Sequence, residues 1–236
     1  VPTDVRRKAM LAAAEEVDPV AFGLYIDSLP GHYLTAIEPE KIRQHFAYVQ
    51  SAREGTPVIT FEENRDSSMT ELTVVTPDTP GLLSLILGTL YAHGVNLSGL
   101  KAHTTTDPVA IAVDTFSVNH NDQLVPEGLR VHLARSLEQI LSGAKTVDTL
   151  LREKGIDPTR EQTLYRAEVF DGDPLLLEVR APKGRGMAYR MSRLIAKHGW
   201  SIESARVGQW AGDGGAAFYL RGASSESVRD ALPQGV

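Results

Sequence analysis

Hydrophobic positions along the chain alternate between two spacings. From Asp4 to Val17 and from about Pro39 to Arg53 they follow a helical period, with Ile42, Phe46 and Val49 on one face of the second stretch. Asp18-Pro19 is expected to end the first helix, and Leu29-Pro30-Gly31 is a turn signal between the two. Glu54-Gly55-Thr56-Pro57 breaks the pattern, Val58-Ile59-Thr60-Phe61 predicts a short strand, and Asn64 to Ser68 a polar loop. Glu71 to Val75 then predicts a strand, Pro80 to His93 a helix striped by Leu82, Leu83, Ile86, Leu87 and Leu90, and Val95 to Thr104 another strand. The turn Thr105-Thr106-Asp107-Pro108 leads into a strand over Ala110 to Val118. Leu129, Leu133, Leu137, Ile140 and Leu141 stripe a further helix.

The order β-α-β-β-α needs one more strand, and Leu164 to Phe170, after a charged linker over Arg152 to Gln162, is expected to supply it. That completes βαββαβ, the ferredoxin-like plan. The chain then repeats itself. With Gly81 laid on Gly186, His93-Gly94 falls on His198-Gly199 and Leu97 on Ile202 without a gap. Leu175 to Arg180 predicts a strand, Met187, Met191, Leu194 and Ile195 a helix face, Ile202 to Gln209 and Ala216 to Leu220 a hairpin around Gly212 to Gly215, and Ser224 to Leu232 a last helix. The second copy stops without a closing strand, which is left to be borrowed, with Val58 to Phe61 as the candidate. The expected fold is therefore α+β: two ferredoxin-like repeats with antiparallel sheets, preceded by a helical linker. The segments are 1–56 for the linker, 57–170 for the first repeat and 171–236 for the second.

Composition narrows the function classes. Hydrophobic residues at 42% and charged residues at 23% describe a soluble globular protein, and no apolar run approaches the roughly 20 residues that span a bilayer. A net charge of −6 gives no general attraction to nucleic acid or anionic lipid. The absence of cysteine excludes disulfides and a thiolate nucleophile and is compatible with a cytoplasmic location. Because the chain opens on Val1, it is expected to be part of a longer polypeptide.

Candidate chemistry concentrates in Asp78-Thr79-Pro80-Gly81. Asp or Thr before a helix can cap its orphan N–H groups, with Pro at the first helical position. Gly81 lets a ligand approach the backbone, and a helix N-terminus favours a carboxylate. A free amino acid carries the complementary charges: its carboxylate would sit on the N–H groups near Pro80-Gly81-Leu82, its ammonium beside Asp78, with Asn96 supplying a donor and an acceptor. All three are expected at one end of the fold.

The segments Leu72 to Leu83, His93-Gly94-Val95-Asn96-Leu97 and Ala112-Val113-Asp114-Thr115-Phe116-Ser117-Val118 resemble an ACT domain. Together with Leu29-Pro30-Gly31-His32-Tyr33-Leu34 and Glu38-Pro39-Glu40-Lys41-Ile42-Arg43-Gln44-His45, they are similar to the first of the tandem ACT domains, and its linker, in the family of PII uridylyltransferase/uridylyl-removing enzymes. The resemblance implies glutamine as the ligand, the PII signalling protein as the partner of the parent enzyme, and Mg²⁺ in the parent's catalytic part. The nucleotidyltransferase and phosphohydrolase motifs of that family do not occur here, so the chain itself is expected to carry the sensor, with no catalytic residue and no cofactor of its own.

The second repeat departs from the pattern. Lys183 stands opposite Asp78, Arg185 opposite Pro80 and Ser201 opposite Asn96, with Gly186 retained. Cations there would repel an ammonium, so this copy is expected to be a packing partner with a solvated basic loop or a contact for an anion. His93, His103, His120 and His132 show no metal-ligand spacing. His93 and His198 are expected to end helices, where a cation suits the dipole. Trp200 and Trp210 are expected in core or interface positions. The competing reading is a ligand-independent docking or oligomerisation module of another metabolic enzyme, pairing through exposed sheet edges, and a homodimer stays open.

Overall fold

The computed structural model describes residues 3–13, 17–29, 33–34, 37–106, 109–158, 166–181, 186–210 and 213–232. Three helices come first: α1 (Thr3–Ala13), α2 (Pro19–Ser28) and α3 (Pro39–Arg53). The helix α2 is absent from the sequence expectation. Asp18-Pro19 starts it rather than only ending α1: Pro19 is the first helical residue, and the Asp18 carboxylate accepts from the N–H groups of Val20, at 2.8 Å, and Ala21, at 3.4 Å. Its nearly unbroken apolar run hid the helical period.

The sheet elements are β1 (Val58–Asn64), β2 (Met69–Pro77), β3 (Asn96–Thr104) and β4 (Ile111–Asn119), with α4 (Leu82–Ala92) between β2 and β3. After β4 come α5 (Glu127–Leu141) and α6 (Val147–Glu153). A second set follows: β5 (Arg166–Phe170), β6 (Leu175–Ala181), α7 (Met187–Lys197), β7 (Ser201–Trp210), β8 (Asp213–Arg221) and α8 (Ser225–Ala231). Both sheets are antiparallel and carry the same order, β1-β2-β4-β3 and β5-β6-β8-β7.

This order corrects the origin of both outer strands. Residues 166–170 do not close the first sheet; they edge the second, with Arg166 opposite Arg180 and Phe170 opposite Leu176. The Val58 to Phe61 segment is not lent to the second sheet; it belongs to β1, beside β2 in the first. Each outer strand is thus the hairpin partner of the strand that follows it. Closing a turn of four residues costs far less chain entropy than returning across a whole domain, so local pairing wins.

The described residues fall into two compact units: Val1–Thr60 with Thr73–Asp78 and Ala102–Thr115, and Phe61–Leu72 with Thr79–Lys101 and Phe116–Val236. In the first, Ile42, Phe46 and Val49 bury the expected face of α3. They share a core with Phe22, Tyr25 and Ile26 of α2 and with Val75, Ile111 and Val113 of the sheet. The Phe22 and Phe46 rings meet edge to face, their centroids 5.3 Å apart.

In the second unit α4 packs against α7. The two helices are equivalents in the repeat, and their contact keeps that relationship. Gly81 lies at the start of α4 within contact range of Ala196 near the end of α7, and Gly186 lies at the start of α7 against Tyr91 near the end of α4. Residues 81 and 186, like 91 and 196, differ by the repeat interval, so the helices run antiparallel about an approximate two-fold axis. Asp148 of α6 holds Arg193 of α7 by two hydrogen bonds of 2.9 and 3.2 Å.

Candidate functional site

Strand β2 is buried from Leu72 to Thr76 and delivers Asp78 to the surface. The Asp78 main-chain N–H donates to the Ala110 carbonyl at 2.8 Å, which ties it to the entry of β4. Its carboxylate accepts from the Thr104 hydroxyl, at the last residue of β3, at 3.3 Å.

Asp78 does not cap α4. Gly81 occupies the cap position in the left-handed region at φ +82°, and no side chain caps the helix. Pro80 accordingly precedes the cap instead of opening the helix, and Leu82 N–H turns back to the Thr79 carbonyl at 3.0 Å. The positive φ demands glycine, because a Cβ there crowds its own carbonyl. An exposed acid free of capping duty is what a ligand contact in this loop requires.

A second acid lies behind it. Asp114 sits in the middle of β4 and is only 4% exposed. Burial pushes its carboxyl up to about 8, the negative charge of Asp78 adds to the rise, and a main-chain hydrogen bond from His103 opposes it. The sequence carried a signal for this residue, one acid inside the apolar run Ile111-Ala112-Val113-Asp114-Thr115-Phe116, but the motif alone assigned it no role.

Beneath β3 is an aromatic and imidazole cluster that periodicity did not disclose. The buried His103 ring lies 4.1 Å from Tyr33, centroid to centroid. The Tyr33 hydroxyl is 2.6 Å from Nδ1 of His45 on α3 and 3.5 Å from the hydroxyl of Tyr25 on α2. Burial raises both phenols well above the usual tyrosine range, which keeps them neutral donors.

Asn96 does not join Asp78. It opens β3, whereas Thr104, a partner of Asp78, closes it; eight steps of about 3.3 Å put the strand's ends about 26 Å apart. Helix α4 runs back along the sheet, so the strand after it begins at the end opposite to where β2 stopped. Asn96 instead donates to Asn119 at 3.1 Å, and Asn119 donates to Ser98 at 3.3 Å and accepts from the Asp122 N–H at 3.2 Å, which fixes the exit of β4.

In the second repeat, Lys183 and Arg185 lie outside the described residues. Gly186 repeats the role of Gly81, at φ +78°, and Ser201 is the exposed first residue of β7. His93 ends α4 as expected but not as a cation: burial, then Lys154 and His132, lower it to about 4, and its Nε2 is 2.9 Å from the Ser136 hydroxyl. His198 ends α7 and stacks on Trp200 at 4.7 Å. Among the described residues no helix is long and apolar enough to cross a membrane.

Two antiparallel sheets of the same strand order each carry a left-handed glycine that starts the helix after the second strand. Residues 70–130 match the family described as ACT domain, so this stretch is similar to an ACT domain. Over most of its length it is similar to bifunctional uridylyltransferase/uridylyl-removing enzymes. It is 26% identical over 200 residues to that of Bradyrhizobium diazoefficiens, 81% of this chain and 21% of that one. To those of Rhodospirillum rubrum and Nitrobacter winogradskyi it is 24% and 26% identical, in each case over 92% of this chain and about a quarter of the relative. The chain spans between a fifth and a quarter of the length of these relatives. Among solved structures, aspartate kinase from Synechocystis aligns with 69% of this chain and 25% of its own, at 17% identity and a TM-score of 0.36.

Proposed function

We propose that this ACT region is an amino-acid sensor, with glutamine as its ligand, that regulates a uridylyltransferase/uridylyl-removing enzyme acting on the PII signalling protein. The observation that carries the reading is Asp78: an exposed carboxylate, not used as a cap, held by Thr104 at the head of a loop whose glycine is in the left-handed region. An α-ammonium group pairs with Asp78, and the α-carboxylate takes main-chain N–H groups of the loop. The similarity to uridylyltransferases is the reason glutamine is proposed among amino acids, and the parent's catalytic part would use Mg²⁺.

Control then requires different affinities of glutamine for two states of the parent enzyme; a coupling of about 1–3 kcal/mol changes the balance by about 5- to 150-fold. Calorimetry of the purified chain with glutamine and a panel of other amino acids tests the reading. Saturable heat with glutamine, weakened about tenfold or more in Asp78→Ala as expected for loss of a charged partner, supports it. No heat at millimolar glutamine removes it, and equal affinity in Asp78→Ala moves the site elsewhere.

A further inference from the structure

The two faces of the second sheet differ. Leu177 and Val179 of β6 and Phe218 of β8 are buried on its inner face. Successive residues of a strand point to opposite faces, so the residues between them form an outer face, and the strand register sorts these into three rows. In the first row Arg166 of β5 stands directly opposite Arg180 of β6, and the row continues through Gly215 of β8 to Gly208 of β7. In the second, Glu168 stands opposite Glu178, and Ala217 opposite Arg206. In the third, Phe170, 44% exposed, stands opposite Leu176, and Tyr219 opposite Ser204. Bulky side chains crowd the β5–β6 half, while the β8–β7 half is small apart from Tyr219 and Arg206.

This pattern does not serve the sheet itself, because like charges directly opposite each other destabilise a strand pair. Arg180 reaches along its own strand to Glu178 at 3.6 Å, and Arg166, Glu168 and Arg206 make no ion pair with a described residue. In the first sheet the corresponding face is taken: Val75 packs in a core with α2 and α3, whereas Arg180, one repeat interval later, is exposed.

We propose that a second copy of this chain docks on the outer face of the second sheet, about a two-fold axis parallel to the strands between β6 and β8. Such an axis lays β5 on the partner's β7 and β6 on the partner's β8, and every contact occurs twice. Glu168 then meets the partner's Arg206. Arg166 and Arg180 lie over the partner's Gly208 and the partner's Gly215, which have no side chain to displace. Leu176 meets the partner's Tyr219, and Phe170 lies over the partner's Ser204. Across the three rows no side chain faces a like charge, and the bulky half of each copy fills the hollow half of the other. Self-complementarity under one axis selects a second copy over an unrelated protein.

The rows span about 14 Å across the four strands and about 13 Å along them. That is well short of the roughly 800 Å² per partner of a standard interface, so the dimer is concentration-dependent. Its ion pairs lie at the rim, where salt screens them. All the docking residues belong to the second compact unit, and the contact does not depend on what binds at Asp78.

Sedimentation velocity of the whole chain over a range of concentrations provides the test. The parent chain is expected to pass from monomer to dimer, and added salt to reverse the change. Glu168→Arg and Arg206→Glu each set like charges across the contact and are expected to weaken the dimer about tenfold or more. An equal mixture of the two variants is expected to restore it, because each then meets its opposite. Both positions are exposed, so the urea midpoints of the variants should match the parent's. A parent chain that stays monomeric up to about 1 mM overturns the proposal. So does a dimer that both charge variants leave unchanged; its loss in Leu24→Ser, on the exposed side of α2, would then move the interface to the helical segment.

Discussion

A Cβ placed on Gly186 would stand 2.9 Å from the ring of Tyr91, closer than real Cβ contacts come. The start of α7 therefore rests directly on the aromatic ring at the end of α4. Gly186→Ala is expected to destabilise the fold by about 1 kcal/mol for the left-handed φ and by a further 1–3 kcal/mol for the forced contact. Gly199→Ala, also at positive φ but with nothing near its Cβ, should show only the first effect. Urea unfolding of the two variants separates the contributions, and Tyr91→Ala should relieve part of the Gly186→Ala penalty.

Gly88 presents opposing effects inside a helix. Alanine would gain about 1 kcal/mol of helix propensity. Its Cβ would also meet Val147 at 2.5 Å and Tyr189 at 2.8 Å, and overpacking of that kind costs about 1–3 kcal/mol. Packing should win, so Gly88→Ala is expected to lower the urea midpoint. A higher midpoint would show that α4 and α7 are less closely packed.

Asp114 should make stability fall with rising pH. Its folded-state value, about 8, lies above the ordinary 3.8, so between these limits the unfolded chain binds fewer protons than the native one. The contribution to the slope is at most about 1.4 kcal/mol per pH unit. Asp114→Asn keeps the shape and removes the titration. Urea unfolding at pH 5, 6, 7 and 8 should give a flatter profile for the variant; parallel profiles would place Asp114 in a more polar setting.

His93 acts in the opposite sense. Its folded value, about 4, lies below the ordinary 6.5, so stability is lost as pH falls through that window. The group is half-buried, so the effect is smaller than for a fully buried imidazole. His93→Gln should remove this acid sensitivity, and a titration midpoint near 6.5 for His93 in NMR would contradict it.

Thr104→Val should isolate the hold on Asp78. It removes the hydroxyl at 3.3 Å while keeping a β-branched residue on the strand. Calorimetry with glutamine should show weaker binding than in the parent chain but stronger than in Asp78→Ala. Affinity equal to the parent's would mean that Asp78 is positioned by its main chain alone.

The helices with clear apolar stripes and the strands of both hairpins were legible in the linear chain, because 3.6 and 2 residue periods follow from local geometry. The repeat was legible too, down to the pairing of Gly81 with Gly186. The helix α2 was not, since a helix buried on several sides loses its period, and Asp18-Pro19 can end one helix and begin another. Asp78 could be picked out by its position before a glycine. That it leaves the cap to Gly81, and that Thr104 holds it, depends on residues distant in sequence.

The chain alone thus determined its class, an α+β pair of ACT-like repeats behind a helical segment, because periodicity, turn chemistry and self-similarity are written locally. Folding chose which outer strand edges which sheet, separated Asn96 from Asp78 by the length of β3, and buried Asp114 near a second acid. Those outcomes depend on loop closure, on the return path of α4 and on the loss of water around a carboxyl group. None of these is a property of neighbouring residues.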